Sequence, residues 1–381
     1  MTIKPFTVSV SEADLETFKN RIKNARFPHE IRGQGWKRGM PLAYTKRLAS
    51  HWADTYDWRK HEAALNAFPQ FIAQVDGQPI HFIHVRSKES QATPLMMVHG
   101  YPGSFVDFIK MIEPLTDPVK HGGEAKNAFD VVVPSLPGFG FSTPVKDAGW
   151  DINRTAKAFH AIMQQLDYKK YALHGSDVGA GVCEELCILA GDQIIGSLIA
   201  TDPGAIATDY TPPTNHLTEA EKAHHQELKA ARAEDFGYIH IQSTRPQTMS
   251  YSLTDSPVGQ LAWIVEKFKE WTDPAKELPE DKLDIDHLLT NVSVYWFGYG
   301  GEGAANLLYE AHHAAAAWGK SHKVTQGFVV FGKEPLIRRI LDPDHKIAHW
   351  TEFPHGAHFP SYEAPLDLVS DIRTFVSDLT K

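Results

Sequence analysis

An aspartate framed by two glycines is the residue whose surroundings most favour covalent chemistry. Asp177 lies at the centre of Gly175–Gly179, after a short apolar run and before a segment with helical character. A nucleophile on a tight strand-to-helix turn needs small residues two positions before and after it, because the backbones pack closely there. Centring the same frame on Ser176 would put the bulky His174 and Val178 at those positions. The spacing therefore selects an aspartate nucleophile and disfavours a serine esterase.

A carboxylate nucleophile attacks an electrophilic sp³ carbon and forms an ester, which water must then hydrolyse. Hydrolysis needs donors for the developing oxyanion, and the turn His99–Ser104 follows an early apolar run, with Tyr101 at its centre. We expect the backbone N–H groups of Tyr101 and Val178 to form an oxyanion hole. The alternative without catalysis is that Asp177 only caps the following helix.

The second step also needs a base and an acid that orients it. His358 precedes a phenylalanine after the last apolar run, which is the usual place for the base, and Glu334 closely follows the run 328–331. The order Asp177, Glu334, His358 is the nucleophile, acid and histidine order of α/β-hydrolases. Asp202, directly after the run 197–201, is an alternative acid, and we favour Glu334 over it.

The elements that must position these residues alternate between short apolar runs and helical periodicity. The runs are 71–75, 79–85, 95–98, 131–133, 171–174, 197–201, 328–331 and 347–353, with Asp76-Gly77 as a hairpin turn between the first two. The segment 152–166 has its apolar residues at helical spacing. This alternation predicts an α/β fold with a mostly parallel central sheet and helices on both faces.

The interval from about residue 202 to 323 interrupts this alternation, since it contains helical stretches and no convincing strand. An insertion of this size between two strands predicts a helical lid. We therefore expect an N-terminal extension over 1–85, a hydrolase core over 86–203 and 320–381, and a lid over 204–319.

Composition excludes several other classes of protein. The 381 residues carry 38 Lys and Arg against 47 Asp and Glu, a net charge of −9, which disfavours nucleic-acid binding. No stretch of about 18 apolar residues predicts a membrane span, and the N-terminus does not resemble a secretory signal. Cys183 and Cys187 cannot form a disulfide framework, and no metal site is predicted. We expect a soluble, cytoplasmic enzyme.

The sequence resembles the microsomal-type epoxide hydrolases of the α/β-hydrolase superfamily over essentially its whole length. The matching segments are Tyr56–Arg59, Leu65–Asn66, Phe68–Phe71, His99–Ser104, Val133–Phe139, Gly237–Pro246 and Ser256–Lys267. The resemblance implies that Asp177 is the nucleophile, His358 the base and Glu334 the acid. It also implies that two lid tyrosines, Tyr238 and Tyr309, polarise the epoxide oxygen.

The sequence departs from the family pattern at two places. Tyr101 stands where members usually have tryptophan, and Phe331 is followed by glycine where members commonly have proline, which weakens the match at Glu334. The activity that the resemblance implies is epoxide hydrolysis to a vicinal diol, with water as the second substrate and no cofactor. It makes a homodimer plausible, although no sequence signal predicts one.

Two other functions stay open at this point. A dehalogenase also uses an aspartate nucleophile, but it needs halide-binding side chains, and Tyr101 and Val178 occupy the positions where these are expected. A non-catalytic binding protein of the same fold would have no reason to keep the nucleophile, the acid and the base together.

Overall fold

A twisted sheet of nine strands forms the centre of the chain in the computed structural model, which describes residues 2–208, 212–314 and 322–381. The strands are β1 Thr2–Phe6, β2 Gln70–Val75, β3 Gln78–Val85, β4 Thr93–Val98, β5 Phe129–Pro134, β6 Tyr171–Gly175, β7 Ile194–Thr201, β8 Gln326–Phe331 and β9 His349–Phe353. Their order across the sheet is β1-β2-β3-β5-β4-β6-β7-β8-β9.

The strand directions agree with the predicted α/β fold. From β5 across to β9 every neighbouring pair is parallel, whereas β1, β2, β3 and β5 pair antiparallel. The turn between β2 and β3 is formed by Asp76 and Gly77, both with positive φ, as the Asp-Gly signal predicts. The central strands are buried on both faces, which explains their continuous apolar runs.

Fifteen α-helices within the described residues cover the sheet and form the insertion. They are α1 Glu12–Lys23, α2 Leu42–Ser50, α3 Trp58–Leu65, α4 Ile109–Thr116, α5 Ile152–Gln165, α6 Val178–Ala190, α7 Glu219–Arg232, α8 Gly237–Gln242, α9 Pro246–Asp255, α10 Pro257–Trp271, α11 Ile285–Phe297, α12 Gly300–His313, α13 Leu336–Leu341, α14 Pro360–Glu363 and α15 Pro365–Leu379. A π-helical turn, His51–Thr55, continues α2.

The eight predicted strands are all present, with ends that differ by up to three residues from the apolar runs. The sequence did not predict β1. This edge strand pairs only with β2 and is largely exposed, so it lacks the buried apolar run by which the others were found.

The described residues between β7 and β8 form helices and turns and no strand, so the insertion is helical, and its role as a lid stays a prediction. The predicted boundary at 319/320 lies outside the described residues. The N-terminal segment packs against helix α11 of this insertion: the Trp52 indole donates to the Ser293 hydroxyl at 2.8 Å, and the Tyr56 hydroxyl lies 2.9 Å from that of Thr290.

Within the described ranges, none of the helices is both long and apolar enough to cross a bilayer.

Candidate active site

The strand-to-helix turn between β6 and α6 holds Asp177 in a conformation that few non-glycine residues adopt. Its φ of 52° and ψ of −129° lie outside the helical and extended regions, which stores backbone strain and lifts the side chain away from the sheet. The surrounding glycines are required by contact: a Cβ on Gly179 would lie 2.1 Å from the Val98 carbonyl oxygen, and one on Gly175 would lie 2.6 Å from the Gly179 carbonyl oxygen. This is the close packing that the spacing predicts.

Two backbone N–H groups converge on the Asp177 carboxylate. The Tyr101 N–H donates to Oδ1 at 2.8 Å, and the Val178 N–H also hydrogen-bonds the carboxylate. Gly100 allows the turn to approach this closely, because a Cβ there would lie 2.4 Å from the Asp177 Cβ. Both predicted oxyanion donors therefore contact the Asp177 carboxylate, and the Tyr101 N–H does so at Oδ1.

His358 lies between two carboxylates. Its Nε2 is 3.6 Å from Asp177 Oδ2, and its Nδ1 is 2.8 Å from Asp202 Oδ2. The Asp177 and His358 side chains are about one-fifth exposed, at 23% and 20%, whereas Asp202 is buried at 7%. The nucleophile and histidine are thus accessible to a small molecule, and Asp202 lies behind them.

The prediction that Glu334 orients the histidine disagrees with this geometry, because Asp202 occupies that position. Gly332, with φ of +100°, turns the chain after β8, and Glu334 then lies at the start of α13. There its carboxylate accepts from the Leu336 N–H at 3.0 Å and lies 3.2 Å from His224 Nε2. The alternative acid of the sequence analysis, directly after β7, is the one in contact.

The charges of this cluster stabilise one another. Burial by itself disfavours the imidazolium, but the Asp202 charge and the hydrogen bonds to both carboxylates outweigh it and raise the pKa of His358 to about 10. Burial likewise opposes ionisation of Asp177 and Asp202, yet the neighbouring His358 lowers the pKa of each carboxyl below its usual value. The resting site therefore holds two carboxylates around one imidazolium.

Tyr238, on α8 in the helical insertion, lies against the turn His99–Ser104, which is called the oxyanion turn below. Its ring stacks on that of Tyr101 with centroids 5.3 Å apart and planes 10° apart, and it also contacts the Trp271 ring at 5.3 Å. The Trp271 ring in turn contacts the His358 ring, with centroids 5.1 Å apart. The Trp271 backbone carbonyl oxygen accepts from the His358 backbone N–H at 3.0 Å. The structure therefore brings Tyr238 into the same cluster as the oxyanion turn and the histidine.

Tyr309 is less closely tied to this cluster. It is half-buried on α12 and stacks on His313, with ring centroids 4.1 Å apart. Helix α12 packs against α8, which carries Tyr238. Within the described part of the chain, no hydrogen bond fixes the Tyr309 hydroxyl, and its predicted role stays a prediction.

Four residues around the tyrosines were not predicted to belong to the site. Gln242 lies four positions after Tyr238 on α8. The other three residues lie on α10 at intervals of four positions: Trp263, Lys267 and Trp271. The Trp263 indole N–H donates to the Tyr101 hydroxyl oxygen at 2.5 Å. The spacing of four along each helix places these residues on one face, and this signal was available in the sequence.

The fold is that of an α/β-hydrolase, and the strained aspartate between two glycines lies at its strand-to-helix turn after β6. Residues 3–108 match the family model "Epoxide hydrolase N terminus", and residues 93–365 match "alpha/beta hydrolase fold". The chain is similar to Epoxide hydrolase 1 of Sus scrofa, with 31% identity over 98% of this chain and 88% of that protein. It is also similar to juvenile hormone epoxide hydrolase of Bombyx mori, with 32% identity over 100% of this chain and 87% of that protein.

A solved structure of Aspergillus niger epoxide hydrolase superposes on this structure with a TM-score of 0.84 and 27% identity, covering 100% of this chain and 97% of that one. The chain therefore belongs to the microsomal-type epoxide hydrolase family of the α/β-hydrolase superfamily, and it is a hydrolase.

Proposed function

We propose that this protein hydrolyses an epoxide to a vicinal diol through a covalent ester on Asp177. The observation that carries the proposal is that the two oxygens of the Asp177 carboxylate have different contacts. Oδ1 accepts from the Tyr101 N–H, whereas Oδ2 lies toward His358 and is the oxygen that attacks; the Val178 N–H also bonds the carboxylate. An ester formed through Oδ2 would leave its carbonyl oxygen already in the oxyanion hole.

Ring opening is the first step. Asp177 Oδ2 forms a bond to an epoxide carbon, the carbon–oxygen bond breaks, and the electron pair goes to the departing oxygen. In this proposal Tyr238 donates its hydroxyl proton to that alkoxide, and the second lid tyrosine, Tyr309, provides a further hydrogen bond. Tyr238 is supported by its packing on Tyr101, whereas Tyr309 is supported only by the family resemblance.

The loss of the Asp177 charge on ester formation converts His358 into a base before the hydrolysis step. In the resting site the pKa of His358 is raised to about 10 by the two carboxylates. Esterification neutralises Asp177, so one of these anions is lost and the pKa of His358 falls. The imidazolium can then return its proton to Tyr238 by way of solvent and become the neutral base.

Water completes the cycle. Neutral His358 takes a proton from water, the hydroxide adds to the ester carbonyl carbon, and the tetrahedral intermediate places its negative charge between the N–H groups of Tyr101 and Val178. On collapse the bond between the acyl carbon and the product oxygen breaks, and the proton remaining on the added oxygen passes to that leaving oxygen. The diol is released, and the Asp177 carboxylate is regenerated beside a protonated His358. Asp202 holds Nδ1 throughout, so Nε2 faces the water.

The test is product analysis with aromatic, aliphatic and terpene epoxides. We expect the wild-type protein to form diols and the Asp177→Ala variant to form none. The Ser176→Ala variant is the matched control, since it removes the neighbouring hydroxyl from the same turn, and it should stay active. Diol formation by Asp177→Ala at the wild-type rate would contradict the proposal.

Haloalkanes give a second comparison. An indole N–H beside the nucleophile could bind a halide, but that of Trp263 already donates to the Tyr101 hydroxyl oxygen. We therefore expect little halide release. Release of chloride or bromide faster than diol formation would favour a dehalogenase instead.

A further inference from the structure

A buried lysine lies beside the lid tyrosine and takes no part in the mechanism above. Lys267, on α10, has a side chain that is only 5% exposed. Its ammonium nitrogen lies 5.1 Å from the centre of the Tyr238 ring and 5.9 Å from that of the Trp271 ring. Its one carboxylate partner among the described residues is Glu266, at 3.4 Å from Nζ.

Packing alone does not explain a lysine at this position. Removing an ammonium from water is costly, and a methionine would fill a similar volume without that cost. The exposed Glu266 compensates the charge only in part, because its side chain is 30% exposed and the pair is longer than a hydrogen bond of good geometry. The other partners of the cation are the π faces of Tyr238 and Trp271.

We propose that Lys267 is a positioning residue that makes Tyr238 a stronger proton donor during ring opening; this inference rests on the proposed function. A cation over an aromatic face is attracted to its electron density. That attraction strengthens as the phenol gives up its proton to the epoxide oxygen, because the tyrosinate ring is richer in electrons. Lys267 therefore stabilises the transition state of ring opening more than the resting state.

The arrangement also fixes where the Tyr238 ring lies. Tyr101 stacks on it, Trp271 contacts it at 53° between planes, and the Lys267 ammonium lies over it. The proton lost from Tyr238 is restored before the next turnover by the proton that His358 releases, so the cycle needs no proton from the lysine.

The neutral variant Lys267→Met tests this role in single-turnover experiments that follow ester formation and ester hydrolysis separately. A desolvated cation–π contact of this kind supports an expected slowing of ester formation of about tenfold. Hydrolysis of the ester should change by less than about twofold, since Tyr238 does not act on it. Lys267→Arg keeps a cation over the ring and should restore most of the rate.

Two comparisons separate this role from a structural one. In a Tyr238→Phe background, Lys267→Met should cause no further slowing, because the hydroxyl through which the lysine acts is gone. Lys269, on the same helix, lies 5.9 Å from the ring of Trp36, outside the site, so Lys269→Met should leave both steps unchanged.

An equal slowing of both steps, the same loss in the Tyr238→Phe background, or the same loss in Lys269→Met would overturn the inference. If Lys267→Met does not fold, Lys267→Gln supplies a second neutral side chain, and failure of both to fold would make Lys267 structural and the inference wrong. A wild-type protein that forms no ester at all would refute the proposed function instead, so the two failures are distinguishable.

Discussion

Replacing Asp202 by asparagine separates the two acids that the sequence left as alternatives. The Asp202 carboxylate lies 2.8 Å from His358 Nδ1 and its side chain is 7% exposed, so solvent screens this pair weakly. For unit charges at that separation and an effective dielectric constant near 20, Coulomb's law gives about 6 kcal/mol. Asparagine keeps a dipole and a hydrogen-bonding group, so we expect about 4 kcal/mol of the stabilisation of the imidazolium to be lost.

This loss should appear in the second chemical step. His358 becomes an imidazolium as it activates water, so a loss of about 4 kcal/mol slows ester hydrolysis about 10³-fold. Ring opening uses Asp177 and Tyr238 directly and should be affected much less. The assay is rapid mixing with excess enzyme, in which the ester is detected by mass spectrometry after acid quenching and the diol by chromatography. We expect the ester to form in both proteins and to persist far longer in Asp202→Asn than in the wild-type protein.

The matched control is Glu334→Gln, since both acids follow neighbouring parallel strands. Glu334 contacts the Leu336 N–H and His224, so its amide variant should turn over within about threefold of the wild type. A 10³-fold loss in Glu334→Gln together with normal turnover in Asp202→Asn would refute the assignment of Asp202. The pH dependence of the rate of ester hydrolysis is an independent test. Without Asp202 the pKa of His358 falls, so the acidic limb of this pH–rate profile should move to lower pH in Asp202→Asn.

Two further predictions concern the close packing and the buried charge around the site. A Cβ at Gly100 would lie 2.4 Å from the Asp177 Cβ, so Gly100→Ala should displace the oxyanion turn and abolish diol formation; normal turnover would contradict the contact. Burial raises the pKa of Asp107 to about 7 despite hydrogen bonds from the Ser104 N–H and the Tyr362 hydroxyl. The protonated carboxyl therefore favours the folded state at low pH, and this contribution to stability is lost as pH rises through 7. The melting temperature of Asp107→Asn should accordingly rise relative to that of the wild type between pH 5 and pH 8. A difference in melting temperature that does not change with pH would contradict this.

The close-packed turn that holds Asp177 could be predicted from sequence because its constraint is local. Glycines two positions before and after Asp177 are needed within one turn, and the turn lies between a strand and a helix that are adjacent in sequence. The positions of eight strands along the chain and the helical character of the insertion followed from periodicity for the same reason. The edge strand β1 was missed because it buries almost nothing.

The sequence could not decide which carboxylate contacts His358, because the loops that carry Asp202 and Glu334 both begin near the histidine. Asp202 and Glu334 follow neighbouring parallel strands, whose carboxyl ends meet at the same edge of the sheet. Which loop reaches the histidine depends on the turn at Gly332 and on the start of α13, and these are tertiary features. The family resemblance favoured Glu334, and the geometry brings Asp202 into contact.

The surroundings of Tyr238 depended on packing between elements that are distant in sequence. Tyr101 and Trp271 lie on a loop of the core and on the last turn of α10, and both contact the Tyr238 ring. The spacing of Lys267 from Trp271 indicates a shared helix face, but only the fold decides that this face meets the tyrosine.

Trapping the covalent intermediate tests the central claim most directly. The His358→Gln variant keeps Asp177 and the oxyanion donors but lacks the base, so a single addition of epoxide should leave the ester intact. Peptide mass spectrometry should then find the mass of the epoxide added to Asp177 in nearly every molecule. An unmodified Asp177 in a variant that still forms diol, or an adduct on a different carboxylate, would contradict the account.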